Sequence, residues 1–177
     1  MSEVVLPDRV EGDGFVLRRL RADDAAALVT AFRDDPELGR LLGFDEDPDE
    51  AWVRGRLGRT YELVIADPES DAFLGMVLLH SYDEHHRRCE AAFWLILGAR
   101  GRGLGTAVVT QVVTWAFREL DVLRVEITTT VGNDAVHALA ARLGFTREGV
   151  LRKRNIERGD RVDVVFYGVL REEWQGA

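Results

Sequence analysis

Apolar residues recur along the chain in two rhythms, alternate positions in some stretches and every third or fourth in others. Phe15-Val16-Leu17-Arg18-Arg19-Leu20 predicts a first strand. Asp23-Asp24 then open an amphipathic helix to about Phe32, with acidic residues where the helix dipole favours them, and Pro36 closes that region. After Pro48, Trp52, Val53 and Leu57 stand at helical spacing, before Tyr61-Glu62-Leu63-Val64-Ile65-Ala66 turns strand-like. Asp67-Pro68-Glu69-Ser70-Asp71 predicts a turn. Beyond it, Ala72 to Tyr82 and Cys89 to Leu97 read as two strands of a hairpin joined by the polar link Asp83-Glu84-His85-His86-Arg87.

The second half changes period. Leu104, Val108, Val112, Trp115 and Leu120 fall close to a 3.6-residue repeat over a long helix that begins in glycines. Leu123 to Thr130 is a β-branched strand, and Asp134 to Leu143 a shorter helix stopped by Gly144. Phe145 and Val162 to Leu170 supply final strands. Strand, glycine turn, helix, strand is the grammar of a β-α-β unit, and hairpins flank it on both sides. The expected class is α/β (α+β): a mixed, twisted sheet with helices on both faces. No repeat, low-complexity stretch or long polar linker divides residues 1–177, which predicts one domain.

Composition narrows the chemistry. The 177 residues carry 23 basic and 31 acidic side chains, a net charge of -8 that argues against nucleic-acid binding, where cations must meet phosphates. The longest apolar run, Ala91 to Leu97, is far short of the roughly 18 residues of a membrane span, and the start at Ser2-Glu3 has no secretory pattern. A soluble, cytoplasmic protein without membrane partners is expected. One cysteine, Cys89, allows no internal disulfide and no zinc site of paired thiolates, so no metal is expected.

The segment Arg100-Gly101-Arg102-Gly103-Leu104-Gly105-Thr106 lies where an apolar strand ends and the long helix starts. Glycines let a backbone approach a ligand closely. The first helical turn offers unpaired N–H groups and a positive dipole end, which together suit a diphosphate; the same glycines would also serve a plain turn. No Gly-Lys-Ser/Thr follows, which excludes a Walker A loop, and Val108 stands where the dinucleotide fingerprint needs glycine or alanine.

The pattern Arg100-x-x-Gly103-x-Gly105 after a strand resembles the acetyl-coenzyme A pyrophosphate loop of the GNAT N-acetyltransferase superfamily. Glu90-Ala91-Ala92-Phe93-Trp94-Leu95 is similar to the strand before that loop, and Asn133 and Leu143-Gly144-Phe145 flank the next helix as in that family. Gly149-Val150-Leu151-Arg152, Asp163-x-Val165-x-Tyr167 and Glu173-Trp174 resemble the branch of ribosomal-protein N-terminal acetyltransferases of the RimJ/RimL type. The resemblance implies a GNAT fold, mostly antiparallel, in which a β-bulge near Leu95 to Leu97 splays a central pair of strands so that backbone groups there meet the pantetheine arm of acetyl-CoA. Gly103, Gly105 and Thr106 would then hold the diphosphate, Arg102 would add a charge contact, and Asn133 would touch the cofactor, cap its helix, or both.

Acetyl transfer needs a neutral amine, a polarised thioester and a proton for the departing thiolate. An α-amine with a pKa near 8 is roughly one-tenth neutral at pH 7, a lysine amine about once in 2,500 molecules. Glu90 matches the carboxylate position that the resembling branch uses as base, with Glu126 as runner-up. The branch's serine and tyrosine acids are replaced by Val136 and Ala140, leaving water or His137 to protonate the thiolate. Cys89 has no readable activating partner and reads as core. The acidic run Asp45 to Glu50 could attract a cationic substrate or be a solvated loop, and Arg152, Lys153, Arg154, Arg158 and Arg161 could meet a phosphate or an acidic partner or line an exposed hairpin. The expected activity is acetyl transfer from acetyl-CoA, as co-substrate, to a primary amine by direct attack: a protein N-terminus, with a small amine such as an aminoglycoside or polyamine as the alternative. A CoA-binding sensor is the alternative of another class, and the resemblance leaves room for a homodimer.

Overall fold

The computed structural model describes residues 4–42 and 48–176. Its strands are β1 (Arg9–Gly12), β2 (Phe15–Arg18), β3 (Glu62–Ala66), β4 (Phe73–Asp83), β5 (Arg88–Leu95), β6 (Arg124–Thr130), β7 (Thr146–Glu157) and β8 (Asp160–Leu170). The helices are α1 (Ala25–Asp34), α2 (Pro36–Leu41), α3 (Glu50–Arg54), α4 (Leu104–Glu119) and α5 (Asp134–Arg142). One eight-stranded sheet runs in the order β1-β2-β3-β4-β5-β6-β8-β7. Every neighbouring pair is antiparallel except β5 and β6, so the sheet is mixed and mostly antiparallel, as the sequence predicts.

Each sheet face carries its own apolar layer. The valine stripe of α4 (Val108, Val109, Val112, Val113) packs with Leu63, Val77, Ala91, Leu95, Val125 and Ile127 on one face. On the other, Leu28 and Phe32 of α1, Leu38 of α2 and Val53 of α3 pack on Val64, Met76 and Trp94. Alternation along β5 divides its side chains accordingly: Cys89, Ala91, Phe93 and Leu95 face α4, whereas Trp94 faces α1.

The parallel pair opens partway. β5 and β6 are in register only at Arg88↔Arg124, Cys89↔Val125 and Glu90↔Glu126. Beyond Glu90 the two strands part, and each stays anchored by an outer partner, β4 for β5 and β8 for β6. The expected splay is therefore present, but no bulge near Leu95 to Leu97 produces it. The β4–β5 register runs unshifted from His80↔Glu90 to Gly75↔Leu95, and Ile96 N–H continues it to the Leu74 carbonyl at 2.9 Å. Leu97 begins a 3₁₀ turn, Leu97–Ala99.

Several elements differ from those the sequence predicts, among them β1, which it does not mark. Pro36 starts a helix rather than closing a region: it occupies the first turn of α2, and the Asp35 side chain caps that helix by accepting from Glu37 N–H at 3.2 Å. The helix after Pro48 is short, and Leu57 lies beyond its end at 39% exposure. β7 forms a long edge strand, mostly exposed, with the cations Arg152, Lys153 and Arg154 on it, so the basic group lies on an exposed hairpin. No helix among the described residues is long and apolar enough to cross a membrane.

Candidate active site

The opening between β5 and β6 leads into a cleft of about 570 Å³. Its walls come from β5 (Glu90 to Leu95), β6 (Ile127 to Thr130), the start of α4 (Leu104, Gly105, Thr106), the inner side of α5, and α2. Backbone parity follows from the Ile96 bond to β4: alternate residues Ala91, Phe93 and Leu95 turn their N–H and C=O groups away from β4, toward the gap. The Leu95 carbonyl accepts there from Arg100 Nε at 2.9 Å. An open sheet edge of this kind asks for a ligand with amides of its own.

At the outer end of the gap the chain makes the turn the glycines predicted. Gly101 and Gly103 have φ of +77° and +83°, a region that costs a side-chain-bearing residue about 1–2 kcal/mol. Gly105 is glycine for a different reason. A Cβ there would lie 3.0 Å from the Phe93 ring and 3.6 Å from Leu139 and Leu95 side chains, so the helix start sits tight against β5. The first bond within α4 runs from Ala107 N–H to Gly103 C=O at 3.1 Å, which leaves the N–H groups of Leu104, Gly105 and Thr106 without helical partners beside the cleft.

Glu90 lines the cleft, partly buried, at the last paired position before the strands part. Its carboxylate accepts a hydrogen bond from the Thr128 hydroxyl. Glu126, directly across on β6, is held by two guanidiniums: Arg124 Nε at 2.8 Å and Arg88 Nη1 at 3.1 Å. Arg124 in turn grips Glu148. The two carboxylates thus differ in kind, one with a neutral partner facing the cleft and one locked in an ion-pair cluster.

Leu95, Gly103, Gly105, Thr106 and Asn133 also line the cleft, while Arg102 and Leu97 do not. Arg102 is exposed and bonds the Gly98 carbonyl, and Leu97 is 54% exposed. Asn133 accepts from Val136 N–H at 3.4 Å and caps α5. His137 turns away from the cleft, with Nδ1 2.9 Å from the Tyr167 hydroxyl and Nε2 3.1 Å from the Val131 carbonyl. Val136 is a lining residue and Ala140 is fully buried. Burial pushes the Cys89 thiol up to about 12, with the Glu126 and Glu90 charges adding to it. Asp45, Glu46 and Asp47 lie outside the described residues.

Several lining residues carry no signature in the sequence. Leu38 and Leu41 enter from α2, an element the sequence does not predict, with Leu42 just past its end, and Asn155 and Glu157 from β7. Glu157 is 5% exposed and paired with Arg40 of α2 at 2.9 Å, tying the hairpin to that helix. Thr128 was within reach of sequence reasoning, because strand alternation puts it on the same face as Glu126, the residue opposite Glu90.

A mixed sheet with one splayed parallel pair, a glycine turn and a helix N-terminus at the end of the gap is the architecture of an acyl-CoA-dependent transferase. The chain belongs to the acetyltransferase (GNAT) domain family, whose pattern matches residues 15–146. It is 31% identical over 170 residues, 90% of this chain and 93% of the other, to Bacillus subtilis YdaF, whose name provisionally assigns it as a ribosomal N-acetyltransferase. A GNAT-family protein from Chromobacterium violaceum superposes with a TM-score of 0.84 at 26% identity, covering 98% of this chain and 92% of that one. Mycobacterium smegmatis RimJ, solved with CoA-disulfide, shares the fold with a TM-score of 0.80 at 20% identity, over 94% of this chain and 89% of that one. The protein is an acetyl-CoA-dependent N-acetyltransferase.

Proposed function

We propose that the acceptor is the α-amine of a protein N-terminus and that Glu90 takes its proton, directly or through one water, as the amine attacks. The observation that carries this reading is the contrast between Glu90 and Glu126. A base must stand within reach of the amine with its oxygens open to it: the Glu126 carboxylate is engaged by the guanidiniums of Arg88 and Arg124, while Glu90, bonded to the Thr128 hydroxyl, faces into the cleft. The arithmetic of amines favours the same acceptor. At pH 7 an α-amine reaches its neutral form about one time in ten, so a single carboxylate suffices, whereas a lysine amine is neutral about once in 2,500. The name carried by YdaF, a relative matched over 90% of the chain, supports a ribosomal protein as the natural source of that N-terminus.

Acetyl-CoA supplies the acetyl group as a thioester. The diphosphate is assigned to the N–H groups of Gly103, Gly105 and Thr106 at the dipole end of α4, with Arg102 adding charge from the rim. The turned-in main-chain groups of Ala91, Phe93 and Leu95 are assigned to the pantetheine amides, and Asn133, besides capping α5, faces the same space. Leu97, on its exposed turn, has no part in this assignment. With Val136 and Ala140 in place of acids and His137 turned toward Tyr167, water protonates the leaving thiolate; a thiol with a pKa near 8.5 leaves tolerably without a dedicated acid. Cys89, buried and protonated, takes no acetyl group.

The test is a thiol-release assay with octapeptides bearing free or blocked N-termini, alongside polyamine and aminoglycoside acceptors. Turnover on free N-termini and none on blocked ones is the expected result. Turnover confined to the small amines assigns the cleft to a small-molecule acceptor instead.

A further inference from the structure

Thr130 ends β6 at 6% exposure, lines the cleft, and its hydroxyl has no hydrogen-bond partner. Among the described residues the other buried side-chain polar atoms in that condition are two guanidinium nitrogens of Arg171, whose remaining nitrogen reaches Asp121. Folded proteins bond nearly all such groups, because a hydroxyl withdrawn from water with nothing to bond opposes folding. Its own carbonyl accepts from Asn133 N–H at 3.1 Å, and the next residue's N–H, that of Val131, reaches Asp163 C=O at 3.3 Å.

Alternation along β6 says what the hydroxyl faces. Val125 and Ile127 enter the layer under α4, so Glu126, Thr128 and Thr130 belong to the opposite face. That face carries the Thr128–Glu90 hydrogen bond, and the cleft is completed there by Leu38 of α2, by Leu42 just past its end, and by Asn155 and Glu157 of β7. The glycine turn packs on Phe93 and Leu95, the residues that face α4. The cofactor's diphosphate and the acceptor amine therefore approach the gap from different faces, and Thr130 stands on the amine's side.

We propose that Thr130 is an acceptor-binding residue whose hydroxyl hydrogen-bonds a polar group of the acceptor beyond the reacting nitrogen, such as its first peptide carbonyl. This rests on the reading of the Glu90 face as the acceptor side. Replacement of Thr130 by valine keeps the shape and removes the hydroxyl, and replacement by serine keeps the hydroxyl.

The experiment measures steady-state kinetics of wild type, Thr130→Val and Thr130→Ser at saturating acetyl-CoA, with a free-N-terminus octapeptide and with n-butylamine, which has no group beyond its nitrogen, together with thermal unfolding of each protein. Thr130→Val is expected to raise the peptide KM about five- to tenfold, the worth of one hydrogen bond, with a smaller change in kcat. Its unfolding temperature stays at or above wild type, its butylamine KM stays within twofold, and Thr130→Ser retains the wild-type peptide KM. An unchanged peptide KM overturns the proposal. So does a loss of acetyl-CoA affinity in place of the acceptor effect, or an unfolding temperature that falls in Thr130→Val, which marks a purely structural hydroxyl. If wild type acetylates amines and no peptide, the N-terminal reading fails on that ground alone; Thr130 is then judged on the KM of the best polar amine, and no change there overturns it.

Discussion

Arg100 and Asp35 meet at 2.6 Å across 65 residues of sequence. One guanidinium thereby joins three parts of the site, because Arg100 begins the glycine turn, donates to the Leu95 carbonyl at 2.9 Å, and holds the carboxylate that also caps α2. The cofactor end and the acceptor wall of the cleft are fastened to each other through Asp35, a residue 7% exposed.

Replacing Asp35 by alanine removes a helix cap and strips Arg100 of its partner at once. We expect a loss of about 1–3 kcal/mol in denaturant unfolding, the larger part from the cap and the desolvated carboxylate's hydrogen bonds, since Arg100 is 39% exposed and partly screened. Asp35→Asn keeps the cap and falls between. An α2 loosened in this way also raises the acceptor KM; an acceptor KM equal to wild type in Asp35→Ala contradicts the coupling.

Glu90→Gln keeps a hydrogen-bond acceptor for Thr128 but cannot take a proton. A lost general base costs typically 10²- to 10⁴-fold, so kcat should fall by at least about 10²-fold while acetyl-CoA binding, read by calorimetry, stays unchanged. Glu126→Gln, by contrast, disturbs the Arg88–Arg124 cluster and shows itself mainly in stability. A Glu90→Gln enzyme with the wild-type rate and pH profile removes Glu90 from the mechanism.

The contrast between what the chain announces and what it hides has a physical basis. α4 was legible because its valines and leucines repeat with the helix period against an apolar sheet face, and β6 because it is rich in β-branched residues with Val125 and Ile127 buried two positions apart. β7 was hidden because it is an edge strand with most residues in solvent, so no alternation marks it, and β1 because Val10 is the one apolar side chain in Arg9–Gly12. Pro36 misled because the same residue that ends a helix when interior begins one at the first position. In the site, Glu90 and the glycine turn carry local signatures, whereas Thr130, Glu157 and the α2 leucines reach the cleft only through tertiary packing.

Cys89 offers a check on direct transfer. With its thiol pushed up to about 12, it is protonated at neutral pH and unreactive in the folded protein. Cys89→Ala should keep kcat within about twofold after a modest loss of stability from the small core gap, and wild type mixed with acetyl-CoA and no amine should release no burst of coenzyme A. A stoichiometric burst, or a dead Cys89→Ala enzyme that folds normally, points to an acetyl-cysteine intermediate.

Glu148 supplies a pH signature. The Arg124 guanidinium bonded to it lowers its carboxyl pKa in the folded protein, so its contribution is complete above the ordinary unfolded value of about 4.3 and is lost as pH falls through the lowered folded value. Comparing Glu148→Gln with wild type, the gap in unfolding free energy should be constant from about pH 7 to pH 5 and close as the pH drops below about 4. The side chain is 39% exposed, which limits the gap to about 1 kcal/mol or less. A gap that widens on acidification reverses the assigned direction.

The most direct test is a crystal structure of the protein grown with coenzyme A. It should show the diphosphate within hydrogen-bonding distance of the main-chain N–H groups of Gly103, Gly105 and Thr106, with the pantetheine arm lying between β5 and β6 and its sulfur directed toward Glu90. Coenzyme A bound outside that gap, or a gap that stays closed in crystals saturated with the ligand, contradicts the account at its root.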